Sequence, residues 1–195
     1  MLEILARALE FLRNQLKALP GFQELPDGDL EYTSISNDKG EWNIGKGKIA
    51  LSLINIEEEK IFKAQLQQQL RNGDDVQLAN PEIRLNLYLL AAVNPGAGMD
   101  DYRDALNKLT RILEFFQAKN FFEKAENPSL DPIEELIVEL HTLSFEQQNQ
   151  LWASLGTKYM PSVIYKVRLV VINRKDFDRT EKIIRETGYE FERIN

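Results

Sequence analysis

Cysteine is absent from this chain of 195 residues, and histidine occurs once, at position 141. Disulfides, thiolate metal sites and cysteine nucleophiles are therefore excluded, and one imidazole cannot supply the clustered ligands of a histidine metal site. Long apolar runs are missing as well, since none approaches the ~18 residues of a membrane span. The leucine-rich start, Met1 to Leu19, is interrupted by Glu3, Arg7, Glu10 and Arg13, charges that the apolar region of a signal peptide does not tolerate. A soluble chain with no direct membrane insertion is expected. Basic residues are in deficit, 24 Lys and Arg against 31 Asp and Glu, for a net charge of −7. Phosphate backbones are held by a concentrated surplus of Lys and Arg, so nucleic acid is not an expected partner.

What is present is material for a core. Hydrophobic residues make up 43% of the chain, and the 28% that are charged interleave both signs, which is not a disordered composition. A chain of this length buries roughly 70% of the surface that its unfolded form exposes.

The patterning predicts alternating helices and strands. Leu5, Ala8, Leu9, Leu12, Leu16 and Leu19 recur at helical steps until Pro20-Gly21, giving a first helix. A short strand is expected around Leu30–Ile35, and Ile49–Ile56 (IALSLINI) is apolar on both faces, as in a covered central strand. Residues 60–80 are polar and Gln-rich with Phe62, Leu66 and Leu70 at helical spacing, read as a weak helix on an excursion. After Pro81, residues Ile83, Leu85, Leu87 and Leu89 alternate with Arg84, Asn86 and Tyr88, giving a strand. Met99–Lys119 is a helix with Tyr102, Ala105, Leu106, Leu109, Ile112, Leu113 and Phe116 as its buried stripe. Ile133–His141 is a further strand, with Leu136, Val138 and Leu140 on one face.

Ser144 and Gln147 form a capping-box pattern that starts a helix stopped at Gly156. Val163–Ile172 is the last core strand, with Lys166 and Arg168 on the face opposite Tyr165, Val167 and Leu169. A short helix capped by Asp176 or Asp178 and ended by Gly188 is expected in the tail, followed by alternation over Tyr189–Ile194. These elements predict an α+β fold, a mixed, mostly antiparallel sheet with helices packed on one face. Residues 1–173 form the domain, 60–80 the excursion, and 174–195 a C-terminal appendage suited to docking.

Candidate chemistry is sparse. Glu57-Glu58-Glu59 end a strand, where consecutive side chains alternate faces and cannot converge on one ion without a turn. Gly45-Lys46-Gly47-Lys48 lacks P-loop spacing and fits a hairpin turn. Asn94–Gly98 lies between a strand and a helix, the right context for an anion at a helix N-terminus, but Asp100 and Asp101 would repel a phosphate. His141 has Glu139 on the same strand face and fits a structural pairing better than a general base. Ser144 and Ser162 have no activating partner and fit capping and strand-start roles. No set of nucleophile, base and oxyanion donor assembles, so neither an enzyme nor a cofactor or metal site is expected. The remaining cluster is basic and aromatic: Lys158, Tyr159, Pro161, Ser162, Lys166 and Arg168, with Tyr165 beside it. It reads either as a solvated sheet face or as a contact surface for an acidic partner.

Several stretches carry a resemblance: IALSLINIEEE from Ile49, LNLYLL from Leu85, DYRDALNKLTRILEFFQ, and IEELIVELHTLSFEQQNQLWASLGTKYMPSVIYKVRLV, together about three quarters of the chain. The most specific part runs through Leu143-Ser144-Phe145-Glu146, Leu151-Trp152, Leu155-Gly156, Lys158-Tyr159, Pro161-Ser162 and Tyr165-Lys166-Val167-Arg168. The chain resembles the tail-terminator (cap) proteins of phage-tail-like contractile injection systems, of the antifeeding-prophage and Photorhabdus virulence-cassette type. The resemblance implies a tail-terminator-like α+β fold and a hexameric ring of copies of this chain on the distal end of the tail tube and sheath. That ring would end tube and sheath polymerisation and anchor the last sheath ring. Assembly in the cytoplasm, then incorporation into a released or membrane-held particle, is implied with it. Strand addition is a mode of attachment that suits such an assembly, with the tail after Asn173 as a candidate donor. The rival readings are a cytosolic small-molecule- or nucleotide-binding protein using the 94–98 turn and a nucleic-acid-binding regulator using Lys158, Lys166 and Arg168.

Overall fold

The structure is a computed structural model. It describes residues 3–23, 29–59, 68–72, 75–79, 83–171 and 179–182. Its centre is a six-stranded sheet made of β1 (Leu30–Tyr32), β2 (Ile49–Glu58), β5 (Ile83–Val93), β6 (Phe121–Glu123), β7 (Ile133–His141) and β8 (Ser162–Val171). The strand order is β1-β2-β5-β8-β7-β6. Every pairing is antiparallel except β1 with β2, which is parallel. The expected mixed, mostly antiparallel sheet is thus observed. The parallel pair corrects one local expectation: Gly45–Lys48 is a turn leading into β2, not the tip of a hairpin. The first strand is also shorter than expected and stops at Tyr32.

Two helices close one face. In α1 (Ile4–Lys17), Ala8, Leu9, Phe11, Leu12 and Leu16 are buried. In α2 (Met99–Ala118), the buried residues are Ala105, Leu109, Ile112 and Phe116. They pack on Leu87, Leu89, Ala91 and Val93 of β5 and on Tyr165, Val167 and Leu169 of β8. These residues share one face because strand side chains alternate with a period of two. Tyr102 and Leu106 stand outside this core at 48% and 43% exposure, a correction to the expected α2 stripe. The helix lies with residues 105, 109, 112 and 116 downward, so positions 102 and 106 fall on its flank. Leu140 belongs to the core-facing row of β7 yet is 58% exposed, beyond the cover of both helices.

The third helix, α3 (Phe145–Ser154), does not join them. Its Trp152 packs with Ala50, Leu90, Ala92 and Ile164, whose side chains point to the opposite face, together with Ile35, Ile44 and Met160. Helices therefore occupy both faces of the sheet, not one. The capping box is formed as expected: the Gln147 amide donates to Ser144 Oγ at 3.2 Å, and Gln147 Oε1 accepts from the Ser144 amide at 2.9 Å. Gly156, at φ 68°, ends the helix in the left-handed conformation that glycine adopts without a Cβ clash.

The excursion and tail differ from their expected helices. Residues Gln68–Asn72 (β3) and Asp75–Ala79 (β4) are antiparallel strands, and Arg179–Lys182 (β9) pairs with β4 to make a separate three-stranded sheet. The helical spacing of Phe62, Leu66 and Leu70 rests on three residues, whereas Asn72-Gly73 is a strong hairpin-turn dipeptide. In the tail, Thr180 within Arg179–Lys182 favours a strand, and pairing with β4 supplies its hydrogen bonds. The expected alternation over Tyr189–Ile194 lies outside the described residues.

Candidate functional site

The candidate anion turn and the Gly-Lys-Gly-Lys turn sit against each other. The Gly47 amide donates to the Asn94 carbonyl at 2.8 Å, and the Asn94 amide donates to the Lys48 carbonyl at 3.1 Å. Asn94 is buried, and its Nδ2 donates to the Ile44 carbonyl at 2.6 Å. At the start of α2 the position an anion would occupy holds a side chain of the chain itself. The Gly98 amide donates to Asp101 Oδ2 at 3.1 Å, and Lys46 Nζ lies 2.8 Å from the same oxygen. The Lys46 ammonium, and then the Gly98 amide, hold the Asp101 carboxyl below its ordinary range. Lys108 completes the junction by donating to the Gly47 carbonyl at 2.8 Å. Two sequence features that resemble phosphate loops are thus two halves of one structural junction.

The acidic run is likewise taken up by neighbours. Glu57 accepts from Tyr88 Oη at 2.9 Å and from Asn55 at 3.2 Å, and Glu59 accepts from Asn86 at 3.0 Å. Burial, followed by the Glu57 carboxylate, raises the pKa of the Tyr88 phenol. Among the described residues no group of three or more His, Asp and Glu side chains is placed to hold a metal ion. His141 packs edge-on against Tyr88, centroids 5.0 Å apart, while Glu139, its expected neighbour, accepts from Arg168 at 3.0 Å.

The six basic-cluster residues divide into two places. Lys158 and Tyr159 are exposed on the turn between α3 and β8. There the Lys158 carbonyl accepts from Trp42 Nε1 at 3.1 Å, and the Tyr159 ring stands 5.5 Å from Trp152. Pro161 is buried, its carbonyl accepting from the Val93 amide at 3.1 Å, and Ser162 starts β8 opposite Ala92. Lys166 and Arg168 lie farther down β8, flanked by Tyr88 and Asn86 on β5 and by Glu139 and Ile137 on β7. Ser162 and Lys166 are four residue steps apart along β8, roughly 13 Å. They are therefore two surfaces on one strand.

The lower surface is the half of the sheet's outer face that α3 leaves open, and its polar layer is tightly packed. Asn86 is 4% exposed, and its Oδ1 and the Arg168 Nε are buried with no hydrogen-bond partner among the described residues. Sequence reading did not single out Asn86, although a polar residue mid-strand between Leu85 and Leu87 marked the position. It also missed the apolar exposure at the sheet's margins: Phe145 at 88%, Met99 at 87%, Tyr32 at 44% and Ile56 at 45%. Phe145 was legible in retrospect, since it follows the cap and lies outside the Leu151–Trp152–Leu155 stripe. No described helix is long and apolar enough to cross a membrane.

No curated protein sequence matches the chain. Among solved structures it is similar to the sheath/tube terminator of the PVC extracellular contractile injection system in its extended state, with TM-score 0.58 and 12% identity, covering 100% of this chain and 64% of that one. It is also similar to the tube-terminating cap of the anti-feeding prophage, with TM-score 0.56 and 12% identity, covering 95% and 60% of the two chains. At that identity the likeness shows a shared α+β fold, and the chain spans under two thirds of the length of either protein. The family model for the Pvc16 N-terminal domain matches residues 5–186, and the chain belongs to that family.

Proposed function

We propose that this chain is a structural cap of an extracellular contractile injection particle. In this reading it forms a hexameric ring on the distal end of the tail, ends tube and sheath polymerisation, and anchors the last sheath ring. The observation that carries it is coverage: the sheath/tube terminator and the tube-terminating cap each match over 100% and 95% of this chain. The non-enzymatic character of the role accords with the self-filled Asp101–Lys46 junction and with the carboxylates already engaged by Tyr88 and Asn86. A terminal ring under a contracting sheath needs large contacts, on the order of 2,000 Å² or more, and closed rotational symmetry is the usual route from one chain to a ring.

Residues 1–173 serve as the terminator domain in this reading, with assembly in the cytoplasm before incorporation into the particle. The turn carrying Lys158, Tyr159, Pro161 and Ser162 and the strand face carrying Lys166 and Arg168 serve as separate contact surfaces toward neighbouring subunits, tube or sheath. The appendage, 174–195, works jointly with the 68–79 hairpin, because β9 already pairs with β4.

The test is genetic and visual. Deleting the chain's gene from a producing strain should give tails of uncontrolled length with no terminal ring in negative-stain images. Tails of normal length with an intact terminal ring would refute the reading.

A further inference from the structure

Exposed apolar side chains gather at one end of the central sheet. At that end β5 and β7 stop, and β2 and β8 start. Helix α2 begins there after Val93 and stays there as far as Lys108, which donates to the Gly47 carbonyl just before β2. Helix α3 begins there after His141, and the turn that follows it leads back there into β8. Nine large hydrophobic residues are exposed among the described residues, and six of them sit on these elements: Met99, Tyr102, Leu106, Leu140, Phe145 and Tyr159. Exposed apolar residues are ordinarily scattered singly, so this concentration marks a contact face. On α2, positions 99, 102 and 106 share one flank by helical spacing. The opposite flank is already engaged, Arg111 with the Pro20 carbonyl and Phe115 with Phe122.

The face holds both a projection and a recess. Phe145, the first residue of α3, is 88% exposed. Leu143 and Gln148, on either side of it in sequence, line a pocket of about 200 Å³ whose walls include Leu140, Trp152, Val163 and Ile164. An apolar cavity of about 150 Å³ holds a benzene molecule, so this pocket has room for one phenyl ring. The exposure of Phe145 places its ring outside the pocket of its own chain.

Charge and area both favour a second copy as the occupant. The chain carries −7 overall, and like charges brought together oppose association. At this end the charges cancel within the chain: Lys46 with Asp101, Arg103 with Asp100, and Lys108 with Asp104. Glu146 and Lys158 add one of each sign. Two acidic chains can therefore meet here without repulsion. The six partly exposed side chains present on the order of 600 Å². Two such faces laid together cover on the order of 1,200 Å², above the roughly 1,000 Å² of a specific interface.

We propose that two copies of the free chain pair face to face through this end, the Phe145 ring of each entering the Leu140–Trp152–Val163 pocket of the other. A projection beside a recess on one face is self-complementary, so the contact is twofold and closes at two copies. It is distinct from the head-to-tail contact of a ring and does not depend on the capping reading.

The test is sedimentation of the full chain over a dilution series. The chain is expected at twice its own mass when concentrated, dissociating on dilution, with nothing larger. Phe145→Asp should raise the dissociation constant about a hundredfold or more, as loss of a central aromatic anchor does. Its thermal melt should match that of the unaltered chain, because the side chain is exposed in the single copy. Gln148→Trp, which fills the pocket from its own wall and leaves Phe145 in place, should weaken pairing as much. Ile56→Asp removes an exposed apolar side chain near the other end of β2 and should leave pairing unchanged. A monomer at every concentration, a dimer indifferent to Phe145→Asp and Gln148→Trp, or equal weakening by Ile56→Asp would overturn the proposal. Species that keep growing past the dimer would overturn it in favour of a head-to-tail contact. A monomeric free chain leaves the capping reading standing, since the deletion strain tests that separately.

Discussion

Tyr165 shows how a single atom can work against the fold that holds it. Its ring is wedged beneath α2, 4.8 Å from Phe116, and the residue is 2% exposed. Its hydroxyl is buried without a hydrogen-bond partner among the described residues, and that burial pushes the phenol pKa up. A buried polar group left unpaired costs about 1–3 kcal/mol. Tyr165→Phe should therefore be neutral or stabilising by about 1 kcal/mol in urea unfolding at neutral pH. The folded pKa lies above the unfolded value of about 10, so wild-type stability holds below that pH and falls as pH rises through and beyond it, and the variant should lose less. Ser144 has the opposite balance. Its Oγ satisfies an amide that α3 would otherwise leave orphaned, so Ser144→Ala should cost about 1 kcal/mol, and Ser144→Asp should restore most of it. A thermal melt of the three proteins would check both.

Among the elements, α3 has the thinnest attachment. Only Trp152 of its ten residues is buried, packed with Ala50, Leu90, Ala92 and Ile164, while Leu151 and Leu155 beside it are only partly buried. Trp152→Ala should cost about 3–5 kcal/mol, with faster hydrogen exchange concentrated in α3 and the 35–44 loop while α1 and α2 stay protected. The small sheet offers a parallel case. An isolated two-stranded hairpin is marginal in water, and β9 supplies the third strand of the β3-β4-β9 sheet. Truncation before residue 174 should leave the melting of the six-stranded sheet within about 0.5 kcal/mol, while amides of Gln68–Ala79 exchange much faster. Equal protection of those amides in the two proteins would show that β9 contributes nothing to the hairpin.

For the whole molecule, charge and margins matter more than any cavity. The chain carries −7 overall, and among the described residues its central sheet ends in β6 at one margin and in the short β1 at the other. A ring needs two different contact surfaces on each copy, because a head-to-tail interface uses unlike patches. The exposed apolar residues Met99 and Phe145, which start α2 and α3, and the acidic end of β2 at Glu57 and Glu58 are unlike patches in this sense. Under the capping reading, light scattering of the purified chain should show an assembly larger than a monomer, at least once tube ends are added. A strict monomer in both conditions would count against the ring.

Much of this fold was legible in local sequence. The helix ends followed from Pro20-Gly21, the Ser144–Gln147 box and Gly156, and strands β5, β7 and β8 from period-two alternation, because caps and side-chain periodicity are settled within a few residues. Other features depended on partners far along the chain. The strands at 68–72 and 75–79 carry a local turn signal in Asn72-Gly73, but Arg179–Lys182 becomes a strand by pairing with β4, about 100 residues earlier in the chain. The parallel placement of β1, the seating of α3 on the opposite face, and the exposure of Tyr102, Leu106 and Leu140 were decided by which surfaces other elements had already covered. The same reason separates Lys158 from Arg168 and fills the Asn94–Gly98 turn with Asp101 and Lys46. Residue order determined the elements and what chemistry they lacked, whereas only their packing determined which faces and edges remained for a partner.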